Sequence, residues 1–201
     1  MGKGEKEKKD LYIEGIQNNG IINHYEYIIN SEGTIEIRHV LKPEGKMPLW
    51  FPRIGLTLTV SDALDQVKWY GRGPQENYPD RKTGYPMGIY ASTVQAMYEP
   101  YLMPQDYGLR TDVRWLQLTT DKGIGLQFKM NEWFNFNIYP YSTDNLTKAM
   151  YTYQLQKQKG MTLNLDYATT GVGCTARGVF GAYKAMPQEY RRTISIRPMM
   201  K

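Results

Sequence analysis

The stretch Val67-Lys68-Trp69-Tyr70-Gly71-Arg72-Gly73-Pro74-Gln75-Glu76-Asn77-Tyr78-Pro79-Asp80-Arg81 decides how this chain is read. Val67 to Tyr70 reads as a short strand that stops at Gly71. Gly71, Gly73 and Pro74 suit a tight turn, because glycine admits positive φ and proline holds φ at about −65°. Glu76, Asn77, Asp80 and Arg81 then place four polar side chains in a loop bounded by glycine and proline. From Gly71 to Gln105 the sequence stays rich in both residues and poor in periodicity. Such a long irregular stretch inside a compact domain marks either a functional loop or a packed crossover.

Outward from this loop the chain alternates. Ile21 to Ile29 carries Tyr25, Tyr27 and Ile29 at period two, and Asn30-Ser31-Glu32-Gly33 is a turn cluster. Thr34 to Leu41 alternates again, so the pair predicts a hairpin. Arg53 to Val60 predicts a strand, with Ile54, Leu56, Leu58 and Val60 on one face. Val113 to Thr119 and Gly125 to Met130 predict a second hairpin across Asp121-Lys122-Gly123, and Phe134 to Tyr139 a separate strand. Ser142 to Tyr151 predicts a short helix capped by Ser142 or Thr143. Met161 to Tyr167 and Tyr190 to Arg197 predict the last two strands. No segment sustains a capped 3.6-residue period. The pattern is that of an all-β protein, a large antiparallel β-sandwich. One domain is expected from residue 9 to 201, preceded by a charged tail over residues 1–8 that is expected to be disordered.

Composition narrows the function classes. The 201 residues are 41% hydrophobic and 22% charged, as in a globular protein with a real core. No apolar run approaches the roughly 18 residues that span a membrane. The Lys/Glu-rich start has no apolar segment behind it, so no signal peptide is expected and the chain is expected to be soluble. The net charge of +5 is scattered rather than clustered, which argues against nucleic acid as a partner. A single cysteine, Cys174, excludes an internal disulfide and a cysteine metal cluster. The two histidines, His24 and His39, lack metal-ligand spacing. No metal or cofactor is expected. The 17 tyrosines and 4 tryptophans fit either a β-rich core or a surface that contacts sugars.

The run Gly73 to Arg81 (GPQENYPDR) closely resembles the signature of the last domain of family 2 β-galactosidases. Phe51 to Leu56, Tyr98 to Tyr101, Pro104 to Arg110, Phe134 to Asn137, Leu163 to Asp166 and Gly171 to Gly173 fit the same domain in the same order. The resemblance implies a galactose mutarotase-like β-sandwich, a supersandwich. It also implies that a separate barrel carries the two glutamates that hydrolyse terminal β-galactosides with retention. This chain would then be non-catalytic alone, contributing to the acceptor side of the active site and to assembly. Its partners would be the remaining domains or large chain of the enzyme, a galactoside, and a second copy in a homo-oligomer. Alternatives are an autonomous galactoside-binding module, a mutarotase-type aldose epimerase, and a purely structural domain.

No catalytic residue is expected in this chain. Glu76 and Asp80 are four residues apart, but nothing near them predicts the deep pocket that would hold a sugar between two carboxylates. Arg53, Gly73, Pro74, Glu76, Asn77, Tyr78, Asp80 and Arg81 form the signature set. They are read either as a loop that satisfies its own backbone or as a hydroxyl-reading site. In relatives an aromatic residue precedes the Leu-Asn-x-Asp run and contacts the leaving sugar; here that position is Thr162. The substrate-binding candidates are therefore Thr162, the following Tyr167, Thr169, Thr170 and Arg177, and Trp133 as the tryptophan expected to be exposed.

Overall fold

The computed structural model describes residues 5–14, 20–173 and 178–200, with side chains from Gly20 onward. Among these residues ten strands follow in chain order: β1 (Glu5–Glu14), β2 (Gly20–Ile29), β3 (Ile35–Glu44), β4 (Arg53–Val60), β5 (Gln66–Arg72), β6 (Met87–Thr93), β7 (Arg110–Thr119), β8 (Gly125–Tyr139), β9 (Met161–Thr169) and β10 (Tyr190–Met199). Among the described residues one α-helix, α1 (Thr143–Lys148), lies between β8 and β9. Every pairing is antiparallel, in the order β1-β2-β3-β10-β8-β7-β5-β6, with β4 and β9 on a branch. The expected all-β sandwich is the observed class. Among the described residues no helix is long and apolar enough to cross a membrane.

The branch comes from β8. Its first half, Gly125 to Met130, pairs with β10, and its last residues, Asn135 to Tyr139, pair with β9. The alternation breaks at Asn131-Glu132-Trp133, which is why the sequence predicts two strands there. The backbone nevertheless runs on as one strand that changes partner. Beyond β9 lies β4, whose register shifts between Ile54 and Gly55. A Cβ on Gly55 would stand 2.3 Å from the Leu165 carbonyl oxygen, so only glycine allows the two strands this close.

Three further elements differ from expectation. β6 lies in the stretch read as irregular; it pairs with β5 alone and exposes Ile89, as an edge strand can. The helix is shorter than expected. Ser142 caps it by accepting the Asn145 N–H at 3.0 Å, and it ends at Ala149. There the Gln154 side chain accepts the Met150 and Tyr151 amides at 2.7 and 3.1 Å and turns the chain into a short 3-10 turn. Where a charged tail is expected over residues 1–8, the backbone from Glu5 belongs to β1, and Glu5–Glu14 pairs residue for residue with Ile29–Gly20.

The period-two pattern explains the core. Val67 and Trp69 on β5, Leu116 and Leu118 on β7, Phe128 on β8 and Ile194 on β10 are all buried in one cluster. Each contributes about 1.5–3 kcal/mol relative to exposure. His39 joins them on β3. Its ring stacks on Tyr25 at 4.1 Å and is hydrogen-bonded to the Tyr167 hydroxyl at 2.7 Å and to Asn23 Oδ1 at 3.0 Å.

Strand β9 is buried on both faces from Met161 to Tyr167. Leu163, Leu165 and Tyr167 join the apolar core, while Thr162, Asn164 and Asp166 alternate with them and form a polar layer. Asn164 donates to Asn137 Oδ1 at 2.8 Å and to the Tyr139 hydroxyl at 3.0 Å, and accepts the Thr57 hydroxyl at 2.8 Å. Asn137 in turn donates to Asp106 at 2.9 Å and to the Tyr107 carbonyl at 3.0 Å. This layer seats the crossover between residues 98 and 109 on the β4-β9-β8 branch. Buried polar groups tolerate that position because each is matched by another.

Candidate functional site

A cleft of about 670 Å³ opens where the crossover, the end of β9 and the start of β4 meet. The sequence builds it from loops held by rigid strands. Trp50, Pro52 and Arg53 come from the entrance to β4, and Tyr78 from the signature loop. Tyr101, Gln105 and Asp106 come from the crossover, and Thr143 and Thr147 from α1. Thr169 is the last residue of β9, and Thr170 to Val172 and Val179 come from the segment that follows it.

Arg53 forms the charged floor. Its Nη2 lies 3.0 Å from Asp106 and 3.3 Å from Asp166. Asp106 is partly exposed (42%) and also accepts from Asn137 and, at 3.1 Å, from the Tyr139 hydroxyl. Asp166 is buried beneath it. Burial pushes its carboxyl up to about 7, against the opposing pull of Arg53 and with added repulsion from Asp106. The Arg53 guanidinium is itself held above its usual range: burial opposes its charge, but Asp166 and Asp106 outweigh it. One cation thus serves two carboxylates. It cannot fully offset the desolvation of the deeper one.

The walls are set by hydrogen bonds that commit most of their polar groups. Thr170 donates to the Phe51 carbonyl at 2.6 Å and accepts the Ala185 amide at 2.9 Å. Thr169 accepts from Asn135 at 3.2 Å and faces Asp166 at 3.4 Å. Trp50 remains partly exposed (38%) at the rim, with Lys184 Nζ 5.6 Å from its ring. Val172 is also exposed.

The signature loop stands behind this cleft. Glu76 is buried and accepts from Arg81 at 2.6 Å, the Gly108 amide at 2.9 Å, the Tyr78 hydroxyl at 3.3 Å and the Tyr101 hydroxyl. Burial works to raise its pKa, but Tyr101, Gly108 and Arg81 outweigh it and hold the carboxyl below the usual range. Asn77 accepts the Thr111 amide at 3.1 Å and the Thr111 hydroxyl at 2.5 Å. Gly73 precedes Pro74 through a cis peptide bond and packs against Tyr90 and Trp69. Asp80 reaches across to the amides of Val172 and Gly173 at 3.1 and 2.7 Å. The loop therefore ties the crossover on one side to the cleft wall on the other.

The residues singled out from sequence divide. Arg53, Tyr78, Thr169 and Thr170 line the cleft. Thr162 lies towards the far end of β9, buried, donating to the Tyr141 carbonyl at 2.7 Å and accepting from Gln158 at 2.8 Å. Tyr167 points into the core onto His39. Trp133 is exposed (59%), away from the cleft, with the Arg114 guanidinium 3.3 Å from its ring centre. Arg177 and Cys174 lie outside the described residues. Tyr101 and Asp106 are not among the site residues expected from sequence, and Trp50 is there only as one of the four tryptophans that fit a sugar-contacting surface. The resemblance segments around Phe51 and Pro104 flagged their neighbourhoods, but only folding shows that they converge.

Chemically, the cleft offers an aromatic rim, hydroxyls and one accessible Arg–Asp pair, groups suited to reading sugar hydroxyls. Asp106 is the one acidic side chain among the described residues that line it. Glycoside hydrolysis of either stereochemistry uses two. Among the described residues no group of three or more His, Cys, Asp or Glu side chains is placed to hold a metal ion.

With this geometry in place, comparison with known proteins assigns the fold first. The GalM/aldose epimerase homologue from C. elegans superposes with a TM-score of 0.51 at 12% identity, over 97% of this chain and 66% of that one. The molecule is thus a β-sandwich of the galactose mutarotase type. The family described as beta galactosidase small chain matches residues 4–196, and this chain belongs to it. The β-galactosidase of Priestia megaterium is 36% identical over 164 residues, which is 81% of this chain and 16% of that protein. That of Vibrio cholerae is 39% identical over 122 residues, 61% of this chain and 11% of that protein. The chain therefore spans a small fraction of the length of the relatives it matches.

Proposed function

We propose that this chain is the accessory domain of a β-galactosidase acting on terminal non-reducing β-D-galactosides. It supplies one wall of the acceptor side of the active site, and a separate barrel supplies both catalytic carboxylates. The observation that carries this reading is the cleft itself. It combines an exposed tryptophan, threonine walls and an arginine floor with a single carboxylate already committed to that arginine. Such a surface binds hydroxyls without activating a glycosidic bond.

The small share of each relative that the chain covers supports a dependence on further domains or on a large chain. The test is kinetic. In the assembled enzyme, Trp50→Ala and Val172→Asp are expected to raise KM for lactose several-fold while leaving kcat for an activated aryl galactoside nearly unchanged. Unchanged Michaelis constants for both variants would remove the cleft from the acceptor site.

A second reading, an autonomous galactoside-binding module, is favoured by one feature: this chain forms the cleft by itself. Saturable binding of methyl β-D-galactoside to the isolated chain at Trp50 and Val172 would select it. An epimerase role finds less support, because neither His24 nor His39 lines the cleft.

A further inference from the structure

A second, smaller cavity of about 180 Å³ lies on the other side of the crossover and, among the described residues, shares no lining residue with the cleft. Buried Tyr107 is among its walls, with half-buried Tyr98 and Tyr141 beside it. Gln95, Thr152 and Lys157, all exposed, complete its polar lining. The volume is that of roughly six waters, room for one sugar ring rather than a chain. The rings of Tyr98 and Tyr107 meet edge to face at 5.2 Å, giving a corner of two aromatic surfaces.

Burial first, and then the phenols of Tyr141 and Tyr98, push the Tyr107 hydroxyl well above its usual pKa, so it stays a neutral donor and acceptor. On either side of Thr152, Tyr151 and Tyr153 stack on each other at 5.5 Å and 7° in full view of solvent. The gap between this cavity and the cleft is lined by Tyr98, Glu99, Tyr101, Gln105, Tyr107 and Leu155 among others, and it has no room for a water. The two spaces are separate.

We infer that the Tyr98–Tyr107–Tyr141 cavity is a second saccharide site, taking one neutral pyranose ring. Aromatic faces pack against the C–H surface of a sugar. Phenol hydroxyls, the Gln95 amide and the Lys157 ammonium meet its hydroxyls with both donors and acceptors. Among the described residues no carboxylate lines the cavity, so the site binds without reacting. It does not depend on the acceptor role of the cleft.

The test is a titration of the 201-residue chain with methyl β-D-galactopyranoside and methyl β-D-glucopyranoside, followed by amide NMR. Saturable shifts at Gln95, Tyr98, Tyr141, Thr152 and Lys157 are expected with at least one sugar. Thr152→Trp, which fills the mouth from an exposed turn, is expected to abolish them. Tyr98→Phe, which keeps the ring and loses the hydroxyl, is expected to weaken them several-fold. Shifts at Trp50 or Val172 would report on the cleft separately. The inference is overturned if no saturable shift appears at the cavity residues up to about 100 mM sugar, a hundredfold above a millimolar dissociation constant. It is equally overturned if the shifts survive Thr152→Trp.

Discussion

The Asp80 carboxylate accepts the Gly173 amide at 2.7 Å across 93 residues of sequence, and so fixes the last turn of the signature loop to the wall of the cleft. A Cβ on Gly171 would lie 2.3 Å from the Asp80 carboxyl carbon, which leaves glycine as the residue that fits there. Two motifs that look independent in the sequence are one structural unit.

That unit predicts a coupling. Asp80→Ala is expected to cost about 1–2 kcal/mol through the lost amide bonds, and Gly171→Ala about 1–3 kcal/mol through the clash. In the double variant the clash has lost its partner. The two costs should therefore fall short of additivity by roughly 0.5–3 kcal/mol, measurable as a double-mutant cycle in urea unfolding. Strict additivity would show that the two residues do not meet in solution.

Glu76 predicts an acid-side weakness. Its folded pKa lies below the ordinary value, so its stabilisation is present above about pH 4.5 and is lost as pH falls through the depressed value. Glu76→Gln is expected to cost about 1–3 kcal/mol near neutrality and to flatten the unfolding profile below about pH 4.5. A variant that keeps the wild-type acid limb would rule out Glu76 as its source.

His39 and Asp166 predict opposing slopes. Burial lowers His39 from 6.5 to about 4, so the unfolded chain binds its proton first and this contribution to stability rises with pH between those values. Burial raises Asp166 from 3.8 to about 7, so its contribution falls over nearly the same window. Each is worth at most about 1.4 kcal/mol per pH unit. In the wild type they largely cancel. His39→Gln is expected to leave stability falling from pH 4 to 7, and Asp166→Asn to leave it rising from pH 4 to 6.5. Urea midpoints across this range decide it. If the His39→Gln profile runs parallel to the wild type, the histidine assignment fails.

Much of the fold was legible because alternation is a local signal. β2, β3, β4, β9 and β10 carry it plainly, and their registers follow from which face is apolar. β8 was cut in two because its strand exchanges partners at residues whose side chains interrupt the pattern. β6 was hidden because an edge strand beside glycine and proline has little apolar face to show. The site was less legible for a different reason. Arg53 and Thr170 gain meaning only when the 116 residues of chain between them fold to bring them together, and Asp106 sits in a crossover without periodicity. Thr162 and Tyr167 follow the same alternation as their neighbours, but both faces of β9 are covered. Adjacency in sequence did not carry them to the cleft.

The central claim is that this chain completes a sugar site whose chemistry resides elsewhere. An aryl β-galactoside hydrolysis assay tests it most directly, run on the chain alone and again with the barrel-bearing remainder of the enzyme. The account predicts no turnover above the uncatalysed rate for the chain alone. It predicts turnover once the remainder is present, with Trp50→Ala raising KM for lactose. Turnover by the chain alone would contradict it, as would full lactose hydrolysis by the remainder without this chain.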